Sequence, residues 1–327
     1  MSARTIPDCA GKCQICSCSY SIHCHRGEQE RGIRRLIFEM EHLALCAMSQ
    51  PLEEALRKWG ESAFYWEKHR EIVQRMFAPI TRAIIEEAGF APGQWVLDVA
   101  AGTGEPSLSI AQEFGPAVSI VCTDAVPEMV MAARRESQRR GLTRMLFCRC
   151  LGEQLPFASN RFDRTVCRLG AMLLPEALGG LREMLRVTRP GGRVSLAVWH
   201  SQETNPMLHI VTDCLARYID LPPETPDAPG PFRFARRGVL AGLLDQAGAQ
   251  NVTERLLKFF IEAPISLDQF WTVRSEMSET LRDKLARLTS EQLVPLAQEV
   301  REAVRQFFPE GHMSFPAEAI LVTGKKT

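Results

Sequence analysis

The stretch Trp95–Ala111, "WVLDVAAGTGEPSLSIA", predicts a buried strand, a glycine turn and the first turns of a helix. Such a turn exposes backbone N–H groups and the positive end of the helix to a ligand. This arrangement suits a dinucleotide pyrophosphate, and it also suits other nucleosides that carry a polar tail. The turn therefore predicts a nucleoside site without choosing among these ligands.

The segments that follow this turn alternate between strand and helix. Apolar runs predict strands near 95–99, 118–123, 145–149, 162–167 and 192–198, with helices near 105–114, 127–140 and 176–188. Strands that alternate with helices form parallel sheets with right-handed crossovers, so we predict a doubly wound α/β fold. The stretch "RPGGR", Arg189–Arg193, predicts a tight turn before the fifth strand.

The regions on either side of this alternating core are mainly helical. Upstream, apolar residues at helical spacing predict a helical segment over about 51–88 that ends at Gly89. Downstream, helices near 204–219 and 236–247 lead to a sixth strand in "VTERLLKFFIEAP". Two further helices, 266–286 and 290–307, precede a last strand in "PAEAILVTGKK". We expect segments 51–88 and 266–307 to form a helical cap.

The cysteines divide the chain into two parts. Six of the eleven precede Met48, and Cys13 and Cys16 form a Cys-x-x-Cys pair with enough ligands nearby to hold zinc. The ligands crowd into one span, unlike a zinc module, so we expect no metal centre and a disordered extension over residues 1–47. An α/β domain would then occupy residues 48–327. The other five cysteines lie in apolar runs and are expected in the core.

Composition narrows the class of partner. Lysine and arginine total 39, as do aspartate and glutamate, and no basic run is interleaved with aromatic residues. This balance argues against nucleic acid and favours a small-molecule substrate. No apolar run reaches the length of about 18 residues that a spanning helix needs, and Glu39, Glu41 and His42 interrupt the N-terminal apolar stretch. We expect a cytoplasmic protein without stable membrane insertion, and the oligomeric state is left open.

Residues around the turn discriminate between ligands. The motif of a dinucleotide site has a third glycine, and this sequence has Ser107 at the corresponding position. Glu105 would compete with a pyrophosphate for the positive helix end, and Asp98 adds to the same negative field. Asp124 ends the second strand, where a carboxylate can accept hydrogen bonds from both ribose hydroxyls. A nucleoside with a cationic tail and no phosphate therefore suits the turn better.

Four stretches together carry a resemblance to a known family. "VLDVAAGTGE", "CTDAVPEMVMAAR", "GEQLPFASNRFDRTVCRLGAMLLPE" and "LREMLRVTRPGGRVSLAVW" resemble the successive motifs of class I S-adenosylmethionine-dependent methyltransferases. The similar branch is that of the ubiquinone/menaquinone C-methyltransferases (methyltransferase type 11), and the resemblance covers about residues 60–325. It implies S-adenosyl-L-methionine as cofactor. It also implies a Rossmann-like, mostly parallel seven-stranded sheet whose last, antiparallel strand lies between the fifth and sixth.

The resemblance also implies roles for particular residues. The turn would cradle the methionine part of the cofactor, the end of the second strand would hold the ribose, Met129 would pack on the adenine, and the segment after the fourth strand would line the methyl donor. Two departures are Ala100, in place of the first glycine, and Leu151, in place of a common aspartate. The predicted cofactor-binding set is Asp98, Ala100, Gly102, Gly104, Asp124, Ala125, Met129, Gly152, Glu153, Cys167 and Arg168.

Methyl transfer from a sulfonium is an in-line displacement that depends chiefly on alignment, and a base is needed only for a protonated acceptor. His200 follows the fifth strand and could take a proton, while Arg168 could steer an anionic or enolate oxygen. Aromatic residues in the two cap segments predict an apolar lid over a small, ring-containing acceptor. The predicted acceptor pocket comprises Trp66, His69, Phe270 and Trp271.

Two other functions remain open from the sequence. A nicotinamide-dependent oxidoreductase could use the same type of sheet. A non-catalytic protein that binds S-adenosylmethionine and recruits a partner through its N-terminal segment and late helices would share the same turn. The acceptor, the methylated atom and the use of a general base are not encoded in any motif.

Overall fold

A computed structural model describes residues 50–221 and 227–327, and the predicted extension over residues 1–47 lies outside the described residues. Within these ranges the chain forms a single sheet with helices packed around it. The strands are β1 (Trp95–Val99), β2 (Ser119–Asp124), β3 (Met145–Arg149), β4 (Phe162–Arg168), β5 (Thr188–Trp199), β6 (Gln250–Ala263) and β7 (Met313–Lys325).

The helices occupy the intervals that the apolar spacing predicts, with some differences in length. They are α1 (Gln50–Lys68), α2 (Arg70–Ala88), α3 (Ser107–Phe114), α4 (Pro127–Arg139), α5 (Ala177–Val187), α6 (Pro206–Leu215), α7 (Val239–Gln246), α8 (Leu267–Met277), α9 (Glu279–Leu285) and α10 (Ser290–Val304). Gly89 ends α2 with a φ of 60°, a left-handed conformation that glycine adopts without steric cost.

The sheet has the strand order β3-β2-β1-β4-β5-β7-β6. Strands β1 to β5 run parallel, and β7 is antiparallel to both of its neighbours, β5 and β6. The predicted seven-stranded, doubly wound sheet is therefore confirmed, including the place of its last strand. The strand order reverses between β1 and β4, and open α/β sheets bind ligands at the carboxyl ends of strands at such a point.

Burial explains why the parallel strands were readable as apolar runs. All five residues of β1 are buried, and β2 is buried up to its last residue, Asp124. Parallel strands covered on both faces lose the alternation of polar and apolar residues. All five cysteines of the described residues are free and buried, as expected for small apolar side chains.

Three local predictions differ from the structure. The segment 51–88 forms two helices that meet at His69. The predicted helix 266–286 is interrupted at Ser278, whose extended backbone and hydroxyl cap the N-terminus of α9 through Leu281 N, at 3.3 Å. The turn expected at Arg189–Arg193 is part of β5, where pairing with β4 moves from Thr188 to Arg193 as a bulge.

Candidate cofactor and acceptor site

A cavity of about 510 Å³ opens at the carboxyl ends of β1, β2 and β4. The turn after β1 forms its floor, Asp124 and Arg168 line it from the ends of β2 and β4, and helices α1 and α2 contribute walls. Its volume lies within the range of small-molecule sites. The site is thus assembled where the strand order reverses.

The glycine turn takes its shape from left-handed backbone. Ala100 and Gly102 both have a φ of 57°, and Gly104 has a φ of 115°. A Cβ atom at Gly104 would lie 2.7 Å from Leu108 Cδ1, whereas one at Gly102 would meet nothing within 4 Å. Gly104 is therefore required by close packing against α3, while Gly102 leaves open space at the floor of the cavity.

Asp98 lies beneath this turn and is fully buried. Its Oδ2 accepts hydrogen bonds from Ser107 N at 3.0 Å and Ser107 Oγ at 2.6 Å. Burial raises the pKa of Asp98 to about 7, against the lowering effect of both Ser107 bonds. Asp98 is not among the residues that line the cavity, so its carboxylate occupies the start of α3 rather than the ligand space.

Asp124 faces the cavity from the end of β2. Its Oδ2 accepts from Gly102 N at 2.8 Å and its Oδ1 accepts from Val126 N at 2.9 Å. Burial raises the pKa of Asp124, and the backbone donors act in the opposite direction. A carboxylate offers about four lone-pair sites, so Asp124 keeps acceptor capacity for a ribose diol beside its backbone donors.

Arg70 is a site residue that the sequence argument missed. At the start of α2 it is buried, and it donates from Nη1 to Thr103 O at 2.6 Å and from Nη2 to Ala132 O at 3.2 Å. It thereby ties the glycine turn to α4. Burial lowers the pKa of Arg70, while Glu136 acts to raise it. The available signal was an arginine directly after a helix break, which is too common to be specific.

A polar chain supports the acidic side of the turn. Glu105 Oε1 accepts from Gln74 Nε2 at 3.1 Å and Glu105 Oε2 accepts from Ser109 Oγ at 2.6 Å. Arg140 Nη2 in turn donates to Gln74 Oε1 at 3.2 Å. Glu105 lines the cavity, so its carboxylate and that of Asp124 set a negative field there.

The far end of the cavity, beside α4, is apolar. Met129 is buried with Val126 and Ala63, and Trp66 packs against this group. Ala125, Gly152 and Glu153 also line the cavity there, and Glu153 Oε1 accepts from Glu176 N at 3.3 Å. This end of the cavity therefore offers an apolar surface at Met129, Val126 and Trp66.

Besides Asp98, two further predicted cofactor-binding residues do not reach the cavity surface. Gly104 packs on Leu108 beneath the floor, and Cys167 is fully buried. Burial raises the pKa of Cys167 to about 12, so its thiol stays protonated and unreactive at neutral pH. A Cβ at Gly170 would lie 2.9 Å from Cys167 Sγ, which shows how tightly this turn closes.

The structure brings Trp66 to the cavity but not the other predicted acceptor residues. His69 Nε2 lies 2.6 Å from Glu276 Oε2, away from the lining set. Phe270 stacks on Phe315 with ring centroids 5.3 Å apart, and Trp271 packs on the core outside the cavity. Helical aromatic residues thus serve mainly as core, because their spacing cannot reveal which face meets a ligand.

The predicted base, His200, also lies outside the lining set. Its Nδ1 is 2.9 Å from Glu318 Oε2, and Glu318 also pairs with Lys258. The apolar wall comes instead from α1 and α2 and from loops after β4. Its members, which the sequence argument did not single out, include Leu52, Leu56, Trp59, Phe77, Leu173 and Pro229.

The sequence of this chain matches a family of known proteins. A family model described as a methyltransferase domain matches residues 96–192. A ubiquinone/menaquinone biosynthesis C-methyltransferase of Syntrophotalea carbinolica is 30% identical over 189 residues, covering 53% of this chain and 76% of that protein. An uncharacterized protein of Mycobacterium tuberculosis is 32% identical over 128 residues, which are 39% of this chain and 45% of that protein.

Among solved structures, phosphoethanolamine N-methyltransferase 2 of Haemonchus contortus, in complex with S-adenosyl-L-methionine, matches with a TM-score of 0.48 and 16% identity over 80% of this chain and 57% of that one. The chain spans about half the length of the first curated relatives, 45% in each case. None of the helices in residues 50–221 and 227–327 has the length and apolar character needed to cross a bilayer. With the Syntrophotalea relative covered over three quarters of its length, the chain belongs to the class I S-adenosylmethionine-dependent methyltransferases, in the branch similar to the ubiquinone/menaquinone C-methyltransferases.

Proposed function

We propose that this protein transfers a methyl group from S-adenosyl-L-methionine to a small acceptor with an apolar, ring-containing body. The single observation that carries the proposal is the cavity at the strand-order reversal. There the glycine turn and Asp124 face an apolar wall built by α1 and α2. The proposal includes C- or O-methylation.

The residues at the floor fit the cofactor on three grounds. The open space beside Gly102 leaves room for a ligand chain, and the free lone pairs of Asp124 can accept from a ribose diol. The apolar surface at Met129 and Val126 suits an adenine ring. The carboxylates of Glu105 and Asp124 favour a ligand with cationic sulfonium and ammonium groups.

S-adenosyl-L-methionine, when bound, supplies an electrophilic methyl group and a thioether leaving group that departs with the bonding electrons. The chain's own contribution is alignment and exclusion of water, which can be worth about 7–11 kcal/mol. Arg70 holds the glycine turn against α4, so the floor is rigid before any ligand arrives. Leu56, Trp59 and Phe77 supply apolar cover on the acceptor side.

The same geometry counts against a nicotinamide cofactor. A pyrophosphate needs free amides at the helix start, but Ser107 N of α3 already donates to Asp98. Glu105 adds a second carboxylate beside that helix end. A phosphate group would therefore meet two negative charges where a dinucleotide site offers donors.

Titration calorimetry of the full chain tests the cofactor. We expect S-adenosylhomocysteine to bind with a dissociation constant in the micromolar range and NADH or NADPH to show no saturable binding. Tight nicotinamide binding with no response to S-adenosylhomocysteine would contradict the proposal.

Labelled S-adenosylmethionine incubated with the protein and a metabolite extract tests the transfer itself. We expect label in small organic-soluble products, and the matched control is the Asp124→Ala variant, which should transfer less at subsaturating cofactor. Cofactor binding without any transfer would instead favour the non-catalytic binding protein.

A further inference from the structure

Arg168, the last residue of β4, lines the cavity on the side away from Asp124. Its backbone pairs with Ala197 of β5, and Leu169 N donates to Ala197 O at 2.8 Å, so the strand end is fixed. The guanidinium carbon lies 6.0 Å from the centre of the Phe77 ring. Both the backbone and the ring contact therefore position the guanidinium before a ligand binds.

This guanidinium is unpaired among the residues that the structure describes. Arg168 Nε is buried with no hydrogen-bond partner, and no carboxylate of the described residues lies within ion-pair distance. Arg70, which also lines the cavity, uses two of its nitrogens on backbone carbonyls. A buried cation without partners is costly, and arginine cannot relieve the cost by losing its proton.

The nearby carboxylates cannot supply the missing partner. Glu105 and Asp98 act on Arg168 electrostatically, but no hydrogen bond joins either carboxyl group to the guanidinium, and Asp98 Oδ1 is itself buried without a partner among the described residues. Burial lowers the pKa of Arg168, and these two carboxylates only partly oppose that effect. Because Arg168 lines the cavity, an anionic group of a ligand can supply the partner that these residues do not.

The position of Arg168 on the sheet indicates whether its partner belongs to the cofactor or to the methyl acceptor. Arg168 ends β4 and Asp124 ends β2, with β1 between them, so the two strand ends lie roughly 10 Å apart at the usual strand spacing. Asp124 and Met129, which we assign to the ribose and adenine, lie at the β2 and α4 side of the cavity, whereas Arg168 lies at the end of β4 beside the Phe77 ring. Arg168 thus belongs to the acceptor half of the cavity.

We propose that the methyl acceptor is an organic anion, an apolar ring compound whose acidic oxygen is held by the guanidinium of Arg168. This inference rests on the proposed methyltransferase function and names the substrate class of the same site. A carboxylate, phenolate or enolate oxygen would accept from Arg168 Nε and one Nη in a charge-assisted pair. The flat body would then lie against Phe77, which leaves the anion oriented toward the floor of the cavity.

A matched pair of probes tests this proposal on protein saturated with S-adenosylhomocysteine. The probes are 2-naphthoate and its neutral isostere 2-naphthamide, and the readout is quenching of intrinsic tryptophan fluorescence. We expect 2-naphthoate to bind at least tenfold more tightly than 2-naphthamide, the range for hydrogen bonds to a charged group. In Arg168→Met we expect this preference to vanish, and in Arg168→Lys we expect part of it to survive.

The affinity for S-adenosylhomocysteine, measured on the same variants, separates this inference from the proposed function. A change of less than threefold in Arg168→Met places the guanidinium with the acceptor, and it also shows that the variant is folded. A loss of cofactor affinity as large as the loss of naphthoate affinity would overturn the inference, because Arg168 would then serve the cofactor's carboxylate. Equal binding of both probes to the unmodified protein would overturn it while leaving the methyltransferase proposal intact.

Discussion

The strands on either side of β1 end in side chains of opposite charge, one with hydrogen-bond partners and one without a partner at its buried nitrogen in the part of the chain that the structure describes. At the end of β2, the carboxylate of Asp124 is held by two backbone amides of its own chain. At the end of β4, the guanidinium of Arg168 has no hydrogen-bond partner at its buried Nε among the described residues. The carboxylate thus has partners within the fold, whereas the guanidinium has none at Nε among the described residues, and we propose that a ligand supplies one. A single cavity thus combines a preorganised half with a half that selects its occupant.

The largest expected effect is on the stability of the half of the cavity formed by the glycine turn and Asp124. Gly104→Ala places a methyl group 2.7 Å from Leu108 Cδ1 at a φ of 115°. Overpacking and left-handed strain together should lower the free energy of unfolding by about 3 kcal/mol, measured by urea titration. Gly102→Ala is the matched control, since its methyl group would meet nothing within 4 Å and only strain of about 1–2 kcal/mol applies. An equal loss of unfolding free energy in both variants would show that the contact with Leu108 does not make Gly104 more sensitive than Gly102.

Asp124→Ala should weaken S-adenosylhomocysteine binding by about 1.5–3 kcal/mol, or roughly 10- to 150-fold. The change removes the acceptors for a ribose diol and frees Gly102 N. Asp124→Asn keeps one acceptor oxygen and should lose less. Titration calorimetry measures the affinity of both variants for S-adenosylhomocysteine. An unchanged affinity in Asp124→Ala would remove Asp124 from the cofactor site.

Asp98 gives a pH dependence of stability that belongs to the fold. Its pKa is raised to about 7 in the folded chain and is about 3.9 when unfolded, so the folded state binds the extra proton between these values. Its contribution to stability is therefore present at low pH and is lost as pH rises from about 4 to 7. Between pH 5 and pH 7 the free energy of unfolding, measured by urea titration, should fall by about 2 kcal/mol more in the natural chain than in Asp98→Asn. Parallel pH profiles for the two proteins would contradict this.

The smallest effect is expected at His200, which lies outside both halves. His200→Ala removes a pair with Glu318 that is partly exposed to solvent, so the free energy of unfolding should fall by less than about 1 kcal/mol. Methyl transfer to an accepted substrate should keep its turnover number within twofold. A turnover number at least a hundredfold lower, with stability retained, would show that a general base acts from this position.

The difference between the two halves also explains what the sequence could predict. The turn, Asp124 and Met129 lie on one continuous stretch that runs from β1 through α3 and β2 to the first turn of α4, so their local spacing determines their relative positions. The acceptor wall combines α1, α2 and loops such as the one at Pro229, which are far apart in the chain. Local periodicity predicted these helices but could not tell which aromatic faces the cavity, and Phe270 and Trp271 lie elsewhere.

Some site features had no usable sequence signal. Arg70 follows a helix break at His69, and the side chain of His69 contacts Glu276 in α8, 207 residues away. The sequence places Asp98 directly before the turn, but only the structure shows that its carboxylate accepts hydrogen bonds from Ser107. These contacts are made between elements, and a pattern along the chain does not record them.

The bond between Asp98 and Ser107 also limits the evolutionary paths open to this sheet. A dinucleotide site differs at this turn by a glycine at position 107, which looks like a single step. Here Ser107→Gly would remove the hydroxyl bond to a buried carboxylate and still leave that carboxylate at the helix start. Asp98 and Glu105 would both have to be replaced before a phosphate could bind, and an intermediate with a poorly solvated acid would be unstable. A change of cofactor at this turn would therefore also change the stability of the fold.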